Sequence, residues 1–254
     1  MEFLKTRNIL LIVEGEVTEI NVFDKIGDLF FDKTTKLDFF AYKSNIYSLY
    51  QKIKEYKEYT TTIDILKEIA TDKKSKKLLN KKFSEIYLIF DFDPQEPAYS
   101  DKKIIELVNF FNDEIEFGKL YINYPMMESF RDHTNFNIKD FLNRKVKIDG
   151  LTSEIYKSYI TQNGYKRNIA NMTIRHFKLL SKMNIIKSNF IINNSKTMPE
   201  YSNFEHISNQ LNILMKQIEI KNSTNSIFVL NTCMMFIIDY FGQRYYGDLL
   251  KSKV

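Results

Sequence analysis

Acidic residues stand directly behind the apolar runs of this sequence. Glu14 follows Ile9-Leu-Leu-Ile-Val13 and is itself followed by Gly15. Asp91 and Asp93 follow Ile86-Tyr-Leu-Ile-Phe90 and are closed off by Pro94, and Glu128 comes shortly after Leu120-Tyr-Ile-Asn-Tyr124. Residues two apart in extended chain point the same way, so Asp91 and Asp93 are able to face one cation. Carboxylates without His or Cys suit a hard ion bound through oxygen, Mg2+ or Mn2+. Such an ion neutralises phosphate oxygens, and it activates water or holds a leaving oxygen. Gly15 lets the backbone turn sharply and come close to a phosphate. Asp-x-Asp is also common on plain solvated loops; its combination with Glu14-Gly15 is what makes the set specific.

These residues need a scaffold that brings strand ends together. The short continuous apolar runs read as strands buried on both faces, the pattern of a parallel sheet. Leu37–Tyr42 reads as a further strand. Between the runs, Ile20, Phe23, Ile26 and Phe30 recur at helical spacing, with Thr18 as N-cap. Ile46–Tyr59, Ile63–Ala70 and Ile104–Phe111 also read as helices, the last with Ser100 as cap. The alternation predicts an α/β fold with a parallel sheet of about four strands and helices on both faces. Ile9–Val13 and Ile86–Phe90 should be adjacent and central, with functional groups outside their carboxyl ends. Beyond Ile138 the periodicity is helical, through Ile155, Tyr159 and Ile160, then Ile174, Phe177, Leu180 and Met183. Ser202-Asn-Phe-Glu205 matches a capping box opening a helix through Phe204, Ile207, Leu211, Leu214 and Ile218. Ile227–Tyr240 reads as a buried helix. Residues 1–130 are therefore read as the α/β catalytic domain and 131–254 as an all-helical appendage.

Composition narrows the classes. The chain has 254 residues, 44% hydrophobic and 27% charged, which excludes a disordered chain. A single cysteine, Cys233, excludes an internal disulfide framework and a Cys-based zinc site. It points to a reducing, cytoplasmic compartment, with Cys233 as a core residue. No Gly-x-x-x-x-Gly-Lys-Ser/Thr run is present, so the chain is not itself a P-loop ATPase. No apolar stretch is long enough to span a membrane. A net charge of +5 permits contact with nucleic acid without demanding it.

The cations are uneven in value. Lys73, Lys74, Lys76, Lys77, Lys81 and Lys82 precede a strand, at the end away from the acids, and read better as a solvated loop than as a phosphate contact. Lys43, after the second strand, is better placed to meet a phosphate near Glu14. Arg131 and His133 follow the fourth strand and can stabilise a scissile phosphate or leaving group; His133 reads equally as a local hydrogen-bonding residue. Lys166, Arg167, Arg175 and Lys178, interleaved with Tyr165, His176 and Phe177, fit either a nucleic-acid-facing surface or an ordinary amphipathic helix.

Ile9-Leu-Leu-Ile-Val-Glu-Gly-Glu-Val-Thr-Glu19, together with Tyr87-Leu-Ile-Phe-Asp-Phe-Asp93, resembles the Toprim domain, over about residues 7–125. That resemblance implies a Rossmannoid sheet. Glu14 would act in acid/base chemistry and support metal binding, Asp91 and Asp93 would be Mg2+ ligands, and Glu19 would be a second acid. Tyr121-Ile-Asn-Tyr-Pro-Met-Met-Glu-Ser-Phe130 looks like a segment of small stand-alone Toprim effectors of bacterial phage defence, the RloB-like and PARIS-type proteins. By that likeness the chain is expected to be a metal-dependent nuclease cutting tRNA or DNA, a toxic effector of abortive infection. The implied partners are nucleic acid, a separate ATPase of ABC or AAA type, and a second copy of the chain; no membrane is implied. Two other readings stand beside it. An Asp-x-Asp glycosyltransferase would hold Mn2+ against a nucleotide-sugar diphosphate but has no use for Glu14-Gly15. A non-catalytic Toprim-fold regulator would keep the fold only to dock the ATPase.

Overall fold

The computed structural model describes residues 7–55 and 61–251; the end of the helix expected over Ile46–Tyr59, residues 56–59, lies outside the described residues. The fold is α/β, with a mostly parallel mixed sheet flanked by helices and a largely helical C-terminal region. The chain divides into two compact units, Met1–Phe90 with Glu106–Tyr121, and Asp91–Ile105 with Ile122–Val254.

In chain order the first part of the molecule runs β1 (Arg7–Val13), α1 (Thr18–Phe30), β2 (Thr35–Ala41), α2 (Ile46–Glu55), α3 (Thr62–Ile69), α4 (Lys73–Leu79), β3 (Glu85–Asp91), α5 (Asp101–Phe110), β4 (Asn112–Asp113) and β5 (Gly118–Tyr124). Within the first unit the strand order is β2-β1-β3-β5-β4. β1 pairs in parallel with both β2 and β3, in registers that set Ile9 against Leu37 and against Glu85. Neither β1 nor β3 is an edge strand, as their composition predicts. Ile9 through Val13 are fully buried, and so nearly are Ile86 through Phe90. A strand covered on both faces has no reason to alternate, and each such side chain removed from water contributes about 1.5–3 kcal/mol. The edge strand β2 is only half-buried and carries Lys36 and Asp38.

An all-parallel sheet is not what forms. β4 pairs antiparallel with β5, Asn112 against Lys119 and Asp113 against Gly118. The cause is local: Asp113 Oδ1 accepts from the N–H groups of Ile115 and Glu116 at 2.9 and 3.1 Å, closing a tight turn. A connection that short can only return antiparallel. Gly118 follows with φ of +101°, and a Cβ there would stand 2.4 Å from the Leu88 side chain.

The helix starts are partly as expected. Ser100 caps α5, accepting from Lys103 N–H at 3.2 Å. Thr18 is not the cap of α1; it is the first helical residue, and Val17 precedes it. The lysine run is not a loop: Lys73–Leu79 is helical, capped by Asp72, which accepts from Ser75 N–H at 2.8 Å. Beyond it, Lys81 pairs with Asp38 at 2.6 Å.

The second unit contains α6 (Ile138–Asn143), β6 (Lys145–Lys147), α7 (Ser153–Asn163), α8 (Ile174–Asn193), α9 (Phe204–Ser208), α10 (Gln210–Thr224), β7 (Ser226–Phe228), β8 (Leu230–Asn231) and α11 (Phe236–Leu250). It is therefore not all-helical. β6 and β7 form a two-stranded antiparallel sheet, and β8 pairs antiparallel with Asn123 and Tyr124 at the end of β5. The expected single helix over Ile227–Tyr240 does not exist. Asn225, in the left-handed region, ends α10, and Ile227 and Phe228 then pair as a strand. The capping box at Ser202 does not form either: α9 follows a 3-10 turn, Tyr201–Asn203, with no side-chain cap. The helix through Phe204 and Ile218 breaks at Asn209, whose side chain accepts from Asn212 N–H at 3.0 Å and starts α10 afresh. A short polar side chain offers the backbone that alternative. Cys233 is buried, in a 3-10 turn rather than a helix. Among the described residues no helix is long and apolar enough to cross a membrane.

Candidate active site

In the first unit, sheet pairing runs one residue past β1. The Glu14 N–H donates to the Ile89 carbonyl at 3.2 Å, and the Glu14 carbonyl accepts from Lys43 N–H at 3.0 Å. Its backbone is thereby fixed from both sides. The chain then turns at Gly15, whose N–H donates to Glu19 Oε1 at 3.3 Å. A Cβ at position 15 would lie 2.8 Å from Glu19 Oε2. A side chain at position 15 would therefore require the Glu19 carboxylate, the far end of its side chain, to shift. Glu19 is buried in the first turn of α1, where the helix dipole favours a negative charge. Lys43 has φ of +60° and meets Glu14 through its backbone only. Its ammonium pairs with Glu16 at 2.5 Å instead of facing Glu14, and that hydrogen bond raises its pKa.

In the second unit, Asp91 Oδ1 accepts from Met127 N–H at 2.8 Å. Asp93 Oδ1 accepts from Gln95 N–H at 3.1 Å, a local turn that closes around Pro94. Met127 opens a 3-10 turn, Met127–Arg131, that also carries the half-buried Glu128, with Lys157 at 3.9 Å. The turn is held from beneath by a buried amide. Asn231 Nδ2 donates to the Met127 carbonyl at 2.8 Å and to Ser129 Oγ at 3.0 Å, while its backbone N–H donates to Asn184 Oδ1 at 2.8 Å. Behind it, buried Asp132 accepts from Arg144 Nε at 3.1 Å and from the Tyr156 hydroxyl at 2.8 Å. Burial, with Asp132 adding to it, pushes the Tyr156 hydroxyl pKa well up.

Arg131 and His133 are engaged elsewhere. Arg131 Nε donates to the Tyr165 carbonyl at 2.9 Å. His133 stacks on Tyr165, with ring centroids 4.9 Å apart, and its Nδ1 accepts from Phe136 N–H at 3.1 Å. Burial lowers its pKa to about 4, so it is neutral at pH 7. The structure thus joins Asp91 to the turn that carries Glu128, joins Glu14 through Gly15 to Glu19, and ties Arg131 and His133 to the Tyr165 loop.

Several residues that hold these positions carry no catalytic signature in the sequence: Asn231, Ser129, Asn184, Asp132 and Lys187. Lys187 is fully buried; it donates to the Phe141 and Arg144 carbonyls at 2.5 and 2.9 Å, and burial lowers its pKa well below the ordinary value. On α8, Ser181, Asn184 and Ser188 recur at helical spacing on the buried face, a pattern that does not name their partners.

Among the described residues no group of three or more His, Cys, Asp or Glu converges to hold a metal ion. Mg2+ asks for less: one or two carboxylates, with water and substrate phosphate completing its shell. In chemistry the oxygen donors Asp91, Asp93 and Glu128 of the second unit fit such an ion, and so, taken by itself, does Glu14 of the first. No protein-family model, no curated protein and no solved structure matches this chain.

Proposed function

We propose that the protein is a Toprim-type, metal-dependent nuclease that hydrolyses phosphodiester bonds in tRNA or DNA. The observation that carries this reading is the pairing of β1 and β3 as parallel, non-edge neighbours within the first unit. β1 runs directly into Glu14-Gly15, and β3 ends in Asp91. In this reading Glu14 moves the proton, taking it from the attacking water or giving it to the leaving oxygen. Asp91 and Asp93, with Glu128 in support, are the oxygen donors for Mg2+ or Mn2+, which when bound neutralises the phosphate oxygens. Glu19 is a positioning residue acting through the Gly15 N–H. The glycosyltransferase reading gives the Glu14-Gly15 turn no task.

In cells the protein acts, in this proposal, as the toxic effector of an anti-phage abortive-infection system in the cytoplasm. Control is assigned to a separate ATPase of ABC or AAA type, the partner that the likeness to stand-alone Toprim effectors implies. The test is expression of the wild type and of Glu14→Ala, followed by inspection of cellular DNA and tRNA. Fragments are expected with the wild type alone. Identical nucleic-acid patterns from the two would defeat the proposal.

A further inference from the structure

The second unit carries a cleft of about 790 Å³ whose lining includes His133, Asn135, Tyr165, Lys166, Arg167 and Asn171. That volume lies in the range of small-molecule sites. Its most informative member is His133, only 7% exposed. Nδ1 accepts from Phe136 N–H, so the single proton of the neutral ring sits on Nε2. Nε2 is buried and has no hydrogen-bond partner among the described residues. An unmet buried donor is a standing cost that a bound acceptor removes. The loop that carries it is also strained: Asn135 and Phe136 have φ of +47° and +61°. A bulky aromatic in that region is uncommon and is held there by the His133 contact.

Around this donor the cleft offers aromatic faces and positive charge. Tyr165 stacks on His133, and Phe136 and His176 lie within 6.4 Å of the Tyr165 ring. Arg167 is exposed but not loose: Nε donates to the Tyr165 hydroxyl at 3.2 Å and Nη1 to the Asn171 carbonyl at 3.4 Å. The Lys166 ammonium donates to the Gln162 carbonyl at 2.5 Å and also to that of Thr161. Among the described residues neither cation pairs with a carboxylate, so their charge is held in place and unneutralised. Nucleotides combine the features this cleft answers: an anionic phosphate, a π-face and acceptor oxygens. Asn135 and Asn171 add polar groups at the rim.

We infer that this cleft seats a nucleotide unit of a single-stranded nucleic acid. The phosphate lies at Arg167 and Lys166, the base lies against Tyr165, and shifting that ring opens an acceptor path to His133 Nε2–H. The site belongs to the second unit alone and does not depend on whether the protein cleaves its ligand. A free nucleotide would present the same groups, so the test separates the two sources.

The test uses the full chain in EDTA, which prevents metal-dependent cleavage, and reads fluorescence anisotropy of short labelled single-stranded RNA and DNA. Arg167→Glu should weaken binding by at least about tenfold, the scale of one lost phosphate or stacking contact. Lys139→Glu, an exposed lysine on α6 with the same charge change, should weaken it by no more than about twofold. His133→Phe, which keeps the ring and removes the donor, should also weaken binding. Arg167→Glu decides the matter if His133→Phe unfolds, and circular dichroism checks both. Uridine monophosphate and inorganic phosphate should compete far less well than the strand. Unchanged binding in Arg167→Glu, an equal loss in Lys139→Glu, or no binding by the wild type would overturn the inference. Competition by the mononucleotide at the affinity of the strand would overturn it in favour of a free-nucleotide site. Failure of the catalytic reading would leave these affinities unmoved.

Discussion

The Glu14 turn in the first unit and the Asp91 turn in the second are fixed by different means. Glu14 is held by main chain: a donor to Ile89, an acceptor for Lys43, and a glycine pressed against Glu19. Asp91 also ends a strand, with Phe92 N–H donating to the Asn123 carbonyl at 2.9 Å, but its carboxylate is tied through Met127 N–H to the 3-10 turn, and that turn to Asn231, Ser129 and Asn184. The first arrangement follows from two apolar strands lying in register, and nearly any sequence that makes those strands will place residue 14. The second adds a few buried polar atoms to its strand and is correspondingly exposed to single substitutions in them, since a half-satisfied buried network costs more than none.

The largest contrast should come from Asn231→Leu. It strips the Met127 carbonyl and Ser129 of their donor and should destabilise by about 2–4 kcal/mol, read as a lowered urea midpoint. A loss below about 0.5 kcal/mol would mean that the relay does not hold the turn.

Acid should next separate the two regions. The His133 pKa is depressed to about 4 in the folded state, so between the ordinary value and about 4 the unfolded chain binds the extra proton. Stability from this group is present in full above about pH 6.5 and is lost as pH falls towards 4, on the order of 3 kcal/mol in all. His133→Phe should flatten that slope, although it lowers stability at neutral pH by removing the acceptor for Phe136 N–H.

A smaller effect belongs to the first unit. Gly15→Ala drives a methyl group into the Glu19 carboxylate and should cost about 1–2 kcal/mol. Glu19→Ala should relieve part of it, so the double variant should be less destabilised than the two single losses added together. Additive losses would separate Glu19 from the turn. Lys43→Ala, which removes only a solvent-exposed partner of Glu16, should leave the thermal midpoint unmoved.

The same contrast governs how much was legible in the sequence. Ile9–Val13 and Ile86–Phe90 were readable as central parallel strands because five consecutive apolar residues leave no polar face to turn outward. The carboxylates directly behind them were readable for the same reason. β7 and β8 were not, because Ile227, Phe228 and Leu230 fit a buried helix equally well, and only the left-handed Asn225 decides between them. Asn209 hid inside an unbroken helical pattern; its cap wins locally over the period. Asn231, Asn184 and Lys187 were invisible as site-holding residues, since a polar residue in an apolar stretch does not name its partner. Arg131 and His133 were placed by their nearness in sequence to a strand end, whereas their contacts are set by the Tyr165 loop.

The central claim, that carboxylates at the ends of adjacent strands cut nucleic acid with a metal, is tested most directly by cleavage of tRNA and of DNA in Mg2+, in EDTA and by Glu14→Gln. The variant keeps the size of the side chain and removes its charge and its proton transfer. The account predicts cleavage by the wild type in Mg2+, none in EDTA, and a loss of at least about a hundredfold in Glu14→Gln with nucleic-acid binding retained. Equal cleavage by wild type and Glu14→Gln, or full activity in EDTA, would contradict it.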